Sequence, residues 1–158
     1  MKEKSFLIGI VLGIILISGF IYFLSQKPLS SEFSKVKATV YYQQNCNCCK
    51  EYIGYLRSSG FKVETKILSL EELEQLKKNL GLSEDLYSCH TVIIDKYFVE
   101  GHVPLGAIKK LLNEKPDIDG IALPGMPSGS PGMSGFKISP FKIHSVKDSK
   151  DQGVFIEI

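Results

Sequence analysis

Three of the four cysteines fall within four consecutive positions, in the segment Cys46-Asn47-Cys48-Cys49. The segment follows a stretch rich in β-forming residues and precedes one with helical spacing, so it must form a strand-to-helix connection. A disulfide that closes so short a loop removes little entropy from the unfolded chain, and the adjacent Cys48 and Cys49 could bridge only with strain. The spacing is therefore typical of metal ligands or redox-active thiols rather than of a structural disulfide.

Two later motifs carry further candidate ligands. Cys89 and His90 are adjacent, and His102 lies in Glu100-Gly101-His102-Val103-Pro104. A third motif, residues 124–133, contains Pro-Gly-Met twice. So much proline and glycine excludes a helix or a central strand and predicts a loop of fixed shape.

The amino terminus contains twenty residues without charge, Ser5 to Leu24. This matches the roughly 20 residues that a helix needs to cross a bilayer, and no cleavage pattern of small residues follows it. We therefore expect residues 1–27 to be a transmembrane anchor, with a cleaved signal sequence as the alternative. Residues 28–36 would be a linker and 37–158 a domain on the extracytoplasmic side of the membrane.

The charge of the domain excludes one class of partner. The chain has 19 basic and 17 acidic residues, and removal of Lys2, Glu3, Lys4 and Lys27 leaves 16 of each. A nucleic-acid-binding surface needs an excess of basic residues. We therefore expect no nucleic-acid partner.

The pattern of apolar residues predicts an α/β domain. Strands are predicted at 37–42, 61–67, 91–95 and 97–100, and helices follow the cysteine segment, Ser69 and Pro104. Ser69 and Glu72 have the spacing of a capping box. The order β-α-β-α-β-β-α is that of thioredoxin, with a mixed sheet and helices on both faces. Segments 141–146 and 154–158 are predicted to form a β-hairpin appendage.

This order predicts where the candidate ligands meet. Ligands collect at the carboxyl ends of parallel strands and the amino ends of the following helices, where the helix dipole also favours thiolate. Cys46, Cys48, Cys49, Cys89, His90 and His102 are therefore expected at one edge of the domain. Dense thiolate with imidazole suits copper(I), whose sulfur ligands can bridge several ions, although zinc remains open. Met126 and Met133 could add soft donors.

The motifs C-x-C-C, S-C-H-T, E-G-H-V-P and P-G-M-P-x-G-S-P-G-M occur in this order, and through them the chain closely resembles the DUF411 family, which includes CopG-type copper-resistance proteins. The resemblance implies a thioredoxin-like fold, an extracytoplasmic location and copper, held as a cysteine-bridged cluster. It implies the cysteines as ligands, with His90 and His102 beside them. Met126 and Met133 match family positions. A copper-efflux protein or copper chaperone is the expected partner.

Two other functions stay open. Cys46 and Cys49 also form a C-x-x-C, so the main alternative is a thioredoxin-like thiol-disulfide oxidoreductase. Against it, Cys89-His90-Thr91 stands where thioredoxin-like enzymes place a proline, and the extra ligands would trap metal. Redox activity at bound copper is a further expectation. The Pro-Gly-Met loop could instead serve a non-catalytic partner-binding module.

Overall fold

The computed structural model describes residues 13–22 and 33–158. Residues 13–22 form a helix whose apolar side chains, such as those of Leu16 and Phe20, are exposed. No helix among the described residues is both long and apolar enough to cross a membrane. The predicted span, residues 5–24, continues beyond this helix at both ends into residues outside the described part, so it stays a prediction.

The domain contains seven strands and three α-helices. The strands are β1 (Lys37–Tyr42), β2 (Lys62–Ile67), β3 (His90–Ile94), β4 (Tyr97–Glu100), β5 (Gly120–Ala122), β6 (Lys142–Lys147) and β7 (Lys150–Glu157). The helices are α1 (Asn47–Ser58), α2 (Leu70–Asn79) and α3 (Leu105–Glu114), with a short 3-10 helix at Glu84–Leu86. The predicted order β-α-β-α-β-β-α is therefore present from β1 to α3.

All seven strands form one mixed sheet in the order β2-β1-β3-β4-β5-β6-β7. β1 pairs with β2, and β4 with β5, in parallel, whereas the other four pairings are antiparallel. His90, the first residue of β3, lies opposite Tyr42, the last residue of β1. This register places the start of β3 beside the cysteine segment that follows β1.

Helices cover both faces of the sheet, as predicted. Buried side chains of α1 and α3, among them Tyr52 and Ile108, form one apolar core with alternate residues of the strands. Phe98 belongs to a smaller cluster on the opposite face. Lys77 of α2 contacts Glu100, two residues beyond Phe98 on the same strand, so α2 covers that second face.

Two details differ from the sequence prediction. β5 was not predicted, because three residues are too few to show an alternating pattern. The terminal hairpin is not an appendage, since β6 pairs with β5 and continues the sheet, and its turn is at Asp148 and Ser149.

The packed domain begins before β1. Phe33, in the segment predicted to be a linker, is buried and its ring stacks on that of Phe61 at 4.5 Å between centroids. Val36 donates a backbone hydrogen bond to the Phe33 carbonyl. Because β1 runs from Lys37 to Tyr42, Phe33 lies at the end of the sheet opposite the cysteine segment.

Candidate metal centre

The first cysteine segment forms the amino-terminal turn of α1. Cys46 is the N-cap residue, and its Sγ accepts a hydrogen bond from the Cys49 amide at 3.3 Å. Cys46 and Cys49 are joined by a disulfide with 5.3 Å between their Cα atoms, and Cys48 is free. The structure therefore contains a bridge between the two cysteines of the C-x-x-C pair, which closes a loop too short to contribute much to stability.

Cys89 brings the second segment to the first. Its Sγ lies 3.7 Å from Cys48 Sγ, which lies 3.5 Å from Cys46 Sγ. Cys49 Sγ is 3.5 Å from the Cys89 carbonyl oxygen. All four sulfur atoms lie within 4.8 Å of one another. The predicted convergence of the four cysteines at one end of the sheet is therefore observed.

His102 points directly at the sulfur of Cys89. Its Nδ1 donates a hydrogen bond to the Pro131 carbonyl at 2.7 Å, and its Nε2 lies 3.0 Å from Cys89 Sγ. Because the carbonyl can only accept, Nδ1 carries the proton in the neutral ring, and the lone pair of Nε2 faces the Cys89 thiol, from which it can accept a hydrogen bond. This is the arrangement of a metal-binding histidine whose other nitrogen is held by an acceptor.

His90 reaches the same sulfur from the start of β3. Its Nδ1 lies 3.3 Å from Cys89 Sγ, and the ring packs between Tyr52, at 4.5 Å, and His102, at 4.8 Å between centroids. The Nε2 atom of His90 is buried and has no hydrogen-bond partner among the described residues. A buried polar atom without a partner costs free energy of folding. Nε2 of His90 is therefore able to interact with a ligand at this site.

Burial sets the protonation of the site. It raises the pKa of the Cys89 thiol to about 12, and the neighbouring Cys48 adds to this rise. It lowers the pKa of His90 well below its ordinary value, with a further contribution from His102. The pKa of His102 is also lowered by burial. At neutral pH the metal-free site therefore holds a neutral thiol at Cys89 beside two neutral imidazoles.

The Pro-Gly-Met loop closes over the site. Gly132 has φ +80°, and a Cβ there would lie 2.8 Å from the Tyr52 nitrogen and 3.0 Å from the Cys48 carbonyl oxygen. Met133 follows this contact directly and is partly buried, whereas Met126 is 51% exposed. The loop thus contacts α1 through Gly132 and His102 through Pro131. That either methionine is a ligand stays a prediction.

Glu100 is buried in β4 and contacts Ser88, Thr91 and Lys77. Its carboxylate accepts hydrogen bonds from the Ser88 amide at 2.7 Å and from the Thr91 hydroxyl at 2.5 Å, and it pairs with Lys77 at 2.7 Å. The pairing with Lys77 was not predicted, because a lysine in a strongly polar helix is expected to be solvated. Burial raises the pKa of Glu100, and the attraction of Lys77 opposes that rise.

His144 lies apart from these groups, in β6 of the terminal hairpin. Its Nδ1 is 2.8 Å from an Asp151 carboxylate oxygen on the terminal hairpin. The second ligand-like group in the described residues consists of Cys89, His90 and His102, and it shares Cys89 with the four-cysteine group. Four sulfurs and two imidazoles therefore form one continuous set around Cys89.

This donor set fits a soft metal ion. Thiolate and imidazole are the ligands that copper(I) and zinc prefer, and no carboxylate belongs to either group of potential ligands in the described chain. Tyr52 and the Pro131 carbonyl hold the histidine rings, and neither was identified from the sequence as part of the site. Tyr52 has the spacing of an ordinary core residue, and a backbone carbonyl leaves no signal in the sequence.

One family model and two solved structures are similar to this chain. The model of a family described as "Protein of unknown function, DUF411" matches residues 86–133. Two solved structures of a copper resistance protein, copG, in forms 2 and 1, are similar at 39% and 38% identity, each with a TM-score of 0.69. Each alignment covers 78% of this chain, and it covers 98% and 97% of the respective neighbours. No curated protein matches significantly.

The family match includes Cys89, His90 and His102, and the structural matches extend over nearly the whole of both neighbours. At this identity and coverage, the chain belongs to the DUF411 family of CopG-type copper-resistance proteins.

Proposed function

We propose that this protein binds copper(I) as its cargo through Cys46, Cys48, Cys49, Cys89, His90 and His102, in a thioredoxin-like domain that contributes to copper resistance. The observation that carries the proposal is the position of Cys89, whose sulfur contacts Cys48, His90 and His102 at once. Similarity to a copper resistance protein supports copper over zinc. The contacts of one sulfur with three donors also support a site in which sulfur bridges more than one ion.

The proposal extends to location and partners. The uncharged segment from Ser5 to Leu24 would anchor the domain to the membrane, with the domain on the extracytoplasmic side. There it would receive copper from, or pass it to, a copper-efflux protein or a copper chaperone. Met126 and Met133 would provide additional soft donors while the ion moves between the proteins.

Metal analysis of protein purified without oxygen tests the proposal. Reduced wild-type protein should bind copper(I). It should show four titratable thiols before copper(I) is added and fewer after copper(I) has bound. His144→Ala is the matched control, because His144 is a histidine outside the site. The proposal fails if reduced wild-type protein binds no copper(I) against a competing chelator, or if His144→Ala loses as much copper as Cys48→Ser.

Thiol-disulfide exchange is the second candidate, and the Cys46–Cys49 disulfide at the start of α1 favours it. A low-pKa thiol at a helix amino terminus is the usual attacking group in such exchange. Turnover of a disulfide substrate by metal-free protein would support this candidate if it persisted in the double variant Cys48→Ser/His102→Ala. Suppression of turnover by copper, in proportion to the ions bound, would instead support copper binding.

A further inference from the structure

A buried ion pair lies beside Cys89 and His90, which form the second ligand segment, whereas Cys46, Cys48 and Cys49 form the first. Lys77 Nζ and Glu100 Oε1 are 2.7 Å apart, and their side chains are 4% and 0% exposed. Such a pair contributes little net stability, because the loss of hydration offsets much of the attraction, and apolar residues of similar volume often stabilise as well or better. The contacts of the pair indicate a more specific role than stability.

Both charges hold Ser88, the residue before Cys89. Lys77 Nζ donates to the Ser88 carbonyl at 2.5 Å, and the Ser88 amide donates to Glu100 Oε1 at 2.7 Å. The other carboxylate oxygen of Glu100 accepts from the Thr91 hydroxyl at 2.5 Å. The ion pair therefore fixes the chain immediately before Cys89 and immediately after His90.

The segment before β3 has no helix or strand of its own to hold it in position. Residues 87–89 lie between the 3-10 helix and β3 and belong to no helix or strand. Gly101 packs directly against Ser88, since a Cβ at Gly101 would lie 2.7 Å from the Ser88 side chain. The Ser88 hydroxyl also donates to the Gly125 carbonyl at 2.6 Å. Cys89 is thus held by tertiary contacts, and the two charged groups make the hydrogen bonds to the backbone of Ser88.

We propose that Lys77 and Glu100 are positioning residues that hold Cys89 and His90 in place for metal binding. The proposal rests on the proposed copper function, and it assigns to α2, which contributes no ligand, the task of fixing the distance between the two ligand segments. Neither residue touches the metal in this assignment, and each acts through Ser88 or Thr91.

The test separates positioning from stability with a charge-balanced variant. Lys77→Met leaves Glu100 unpaired and should destabilise the fold, whereas Lys77→Met/Glu100→Gln removes both charges at similar volume and should recover much of that stability. The double variant still lacks the donor to the Ser88 carbonyl. We therefore expect its copper(I) affinity to fall by about 10- to 100-fold, as for other groups that orient metal ligands.

Lys110→Met is the matched control, because Lys110 forms an exposed ion pair with Glu114, at 2.6 Å, on the surface of α3. It should leave copper affinity unchanged. X-ray absorption at the copper edge adds a readout that a stability change alone would not move. The double variant should lose sulfur ligation relative to wild type, and Lys110→Met should not.

A metal-free measurement reports the position of Cys89 independently. In a Cys46→Ser/Cys49→Ser background, glutathione disulfide can oxidise Cys48 and Cys89 to a disulfide and is itself reduced to two glutathione thiols. The equilibrium gives the effective concentration of the two thiols, whose sulfurs lie 3.7 Å apart. Lys77→Met/Glu100→Gln should lower this effective concentration about tenfold, because the thiols are then less well aligned.

The outcomes distinguish the two proposals. Wild-type protein that binds no copper(I) overturns the proposed function, and the positioning role with it. If wild type binds copper(I), a folded double variant with unchanged affinity and unchanged effective concentration overturns the positioning role alone.

Discussion

The two ligand segments are built in different ways. Cys46, Cys48 and Cys49 sit on a single helical turn, where the backbone of α1 sets their spacing. Cys89 and His90 lie where an irregular segment enters β3, and contacts with residues distant in the sequence set their position. The first segment is a local structure and the second a tertiary one, so the complete site exists only when the sheet is folded.

The largest effect on this comparison should come from removing the sulfur that joins the two segments. Cys89→Ser should lower copper(I) affinity by more than about 100-fold, which exceeds the loss expected for a residue that only orients a ligand. The substitution removes a sulfur that contacts Cys48 and both histidines. Competition with a chromogenic copper(I) chelator measures it. A smaller loss than that of Cys46→Ser would show that the first segment binds copper alone.

In the wild-type protein, oxidation should act on the first segment, where Cys46 and Cys49 form the disulfide. A disulfide sulfur cannot serve as a thiolate ligand, so protein with the Cys46–Cys49 bridge should bind fewer copper ions than reduced protein. Metal analysis before and after reduction by a phosphine gives the difference. Cys46→Ser/Cys49→Ser lacks this bridge, so a preparation in which thiol counting finds both Cys48 and Cys89 reduced should bind the same amount with and without phosphine. A reductant-dependent change in that preparation would place the redox-sensitive pair elsewhere.

The pH dependence of the copper affinity should depend on Cys89, in the second segment. Because the pKa of the Cys89 thiol is raised to about 12, copper binding must displace its proton at every lower pH. Each displaced proton raises the apparent affinity about tenfold per pH unit. Titrations between about pH 6 and 8 should therefore show a slope that falls by one proton in Cys89→Ser. An unchanged slope would mean that Cys89 does not bind the ion as thiolate.

The smallest effect should come from the Pro-Gly-Met loop, which contacts α1 through Gly132 and His102 through Pro131. Gly132→Ala places a methyl group against α1 at φ +80° and should cost about 1–3 kcal/mol of unfolding free energy. Gly125→Ala is the matched control in the other Pro-Gly-Met repeat, since it also has a positive φ, +68°, but open space around its Cβ. Chemical denaturation compares them. Equal costs would exclude the close approach to α1 as the cause.

The difference between the local first segment and the tertiary second segment also explains how much of the site could be predicted from the sequence. The first segment and the capping box were recognisable, because their partners are close in the chain, and both hydrogen bonds of the box between Ser69 and Glu72 are present. The general position of Cys89 followed from the order of strands and helices. Both depend on spacing and topology, which a single sequence displays.

The supports of the second segment could not be predicted in this way. Lys77 lies in a helix with many charged residues, and its burial depends on Glu100, 23 positions later. The Pro131 carbonyl that orients His102 belongs to the backbone, so any residue could supply it. Such contacts follow from the packing of distant segments, which leaves no periodic pattern.

The buried position of Phe33 has a consequence for how the protein faces its surroundings. Residues 25–32 separate Phe33 from the uncharged segment and reach at most about 29 Å. If that segment spans the bilayer, the Phe33 end of the domain is the end tethered to the membrane. The six residues of β1 then carry the cysteines roughly 20 Å farther outward. A fluorophore at Lys35 should be quenched by lipid-bound quenchers, while one at Lys50 is not. The copper site would then open toward the aqueous compartment, within reach of soluble carriers.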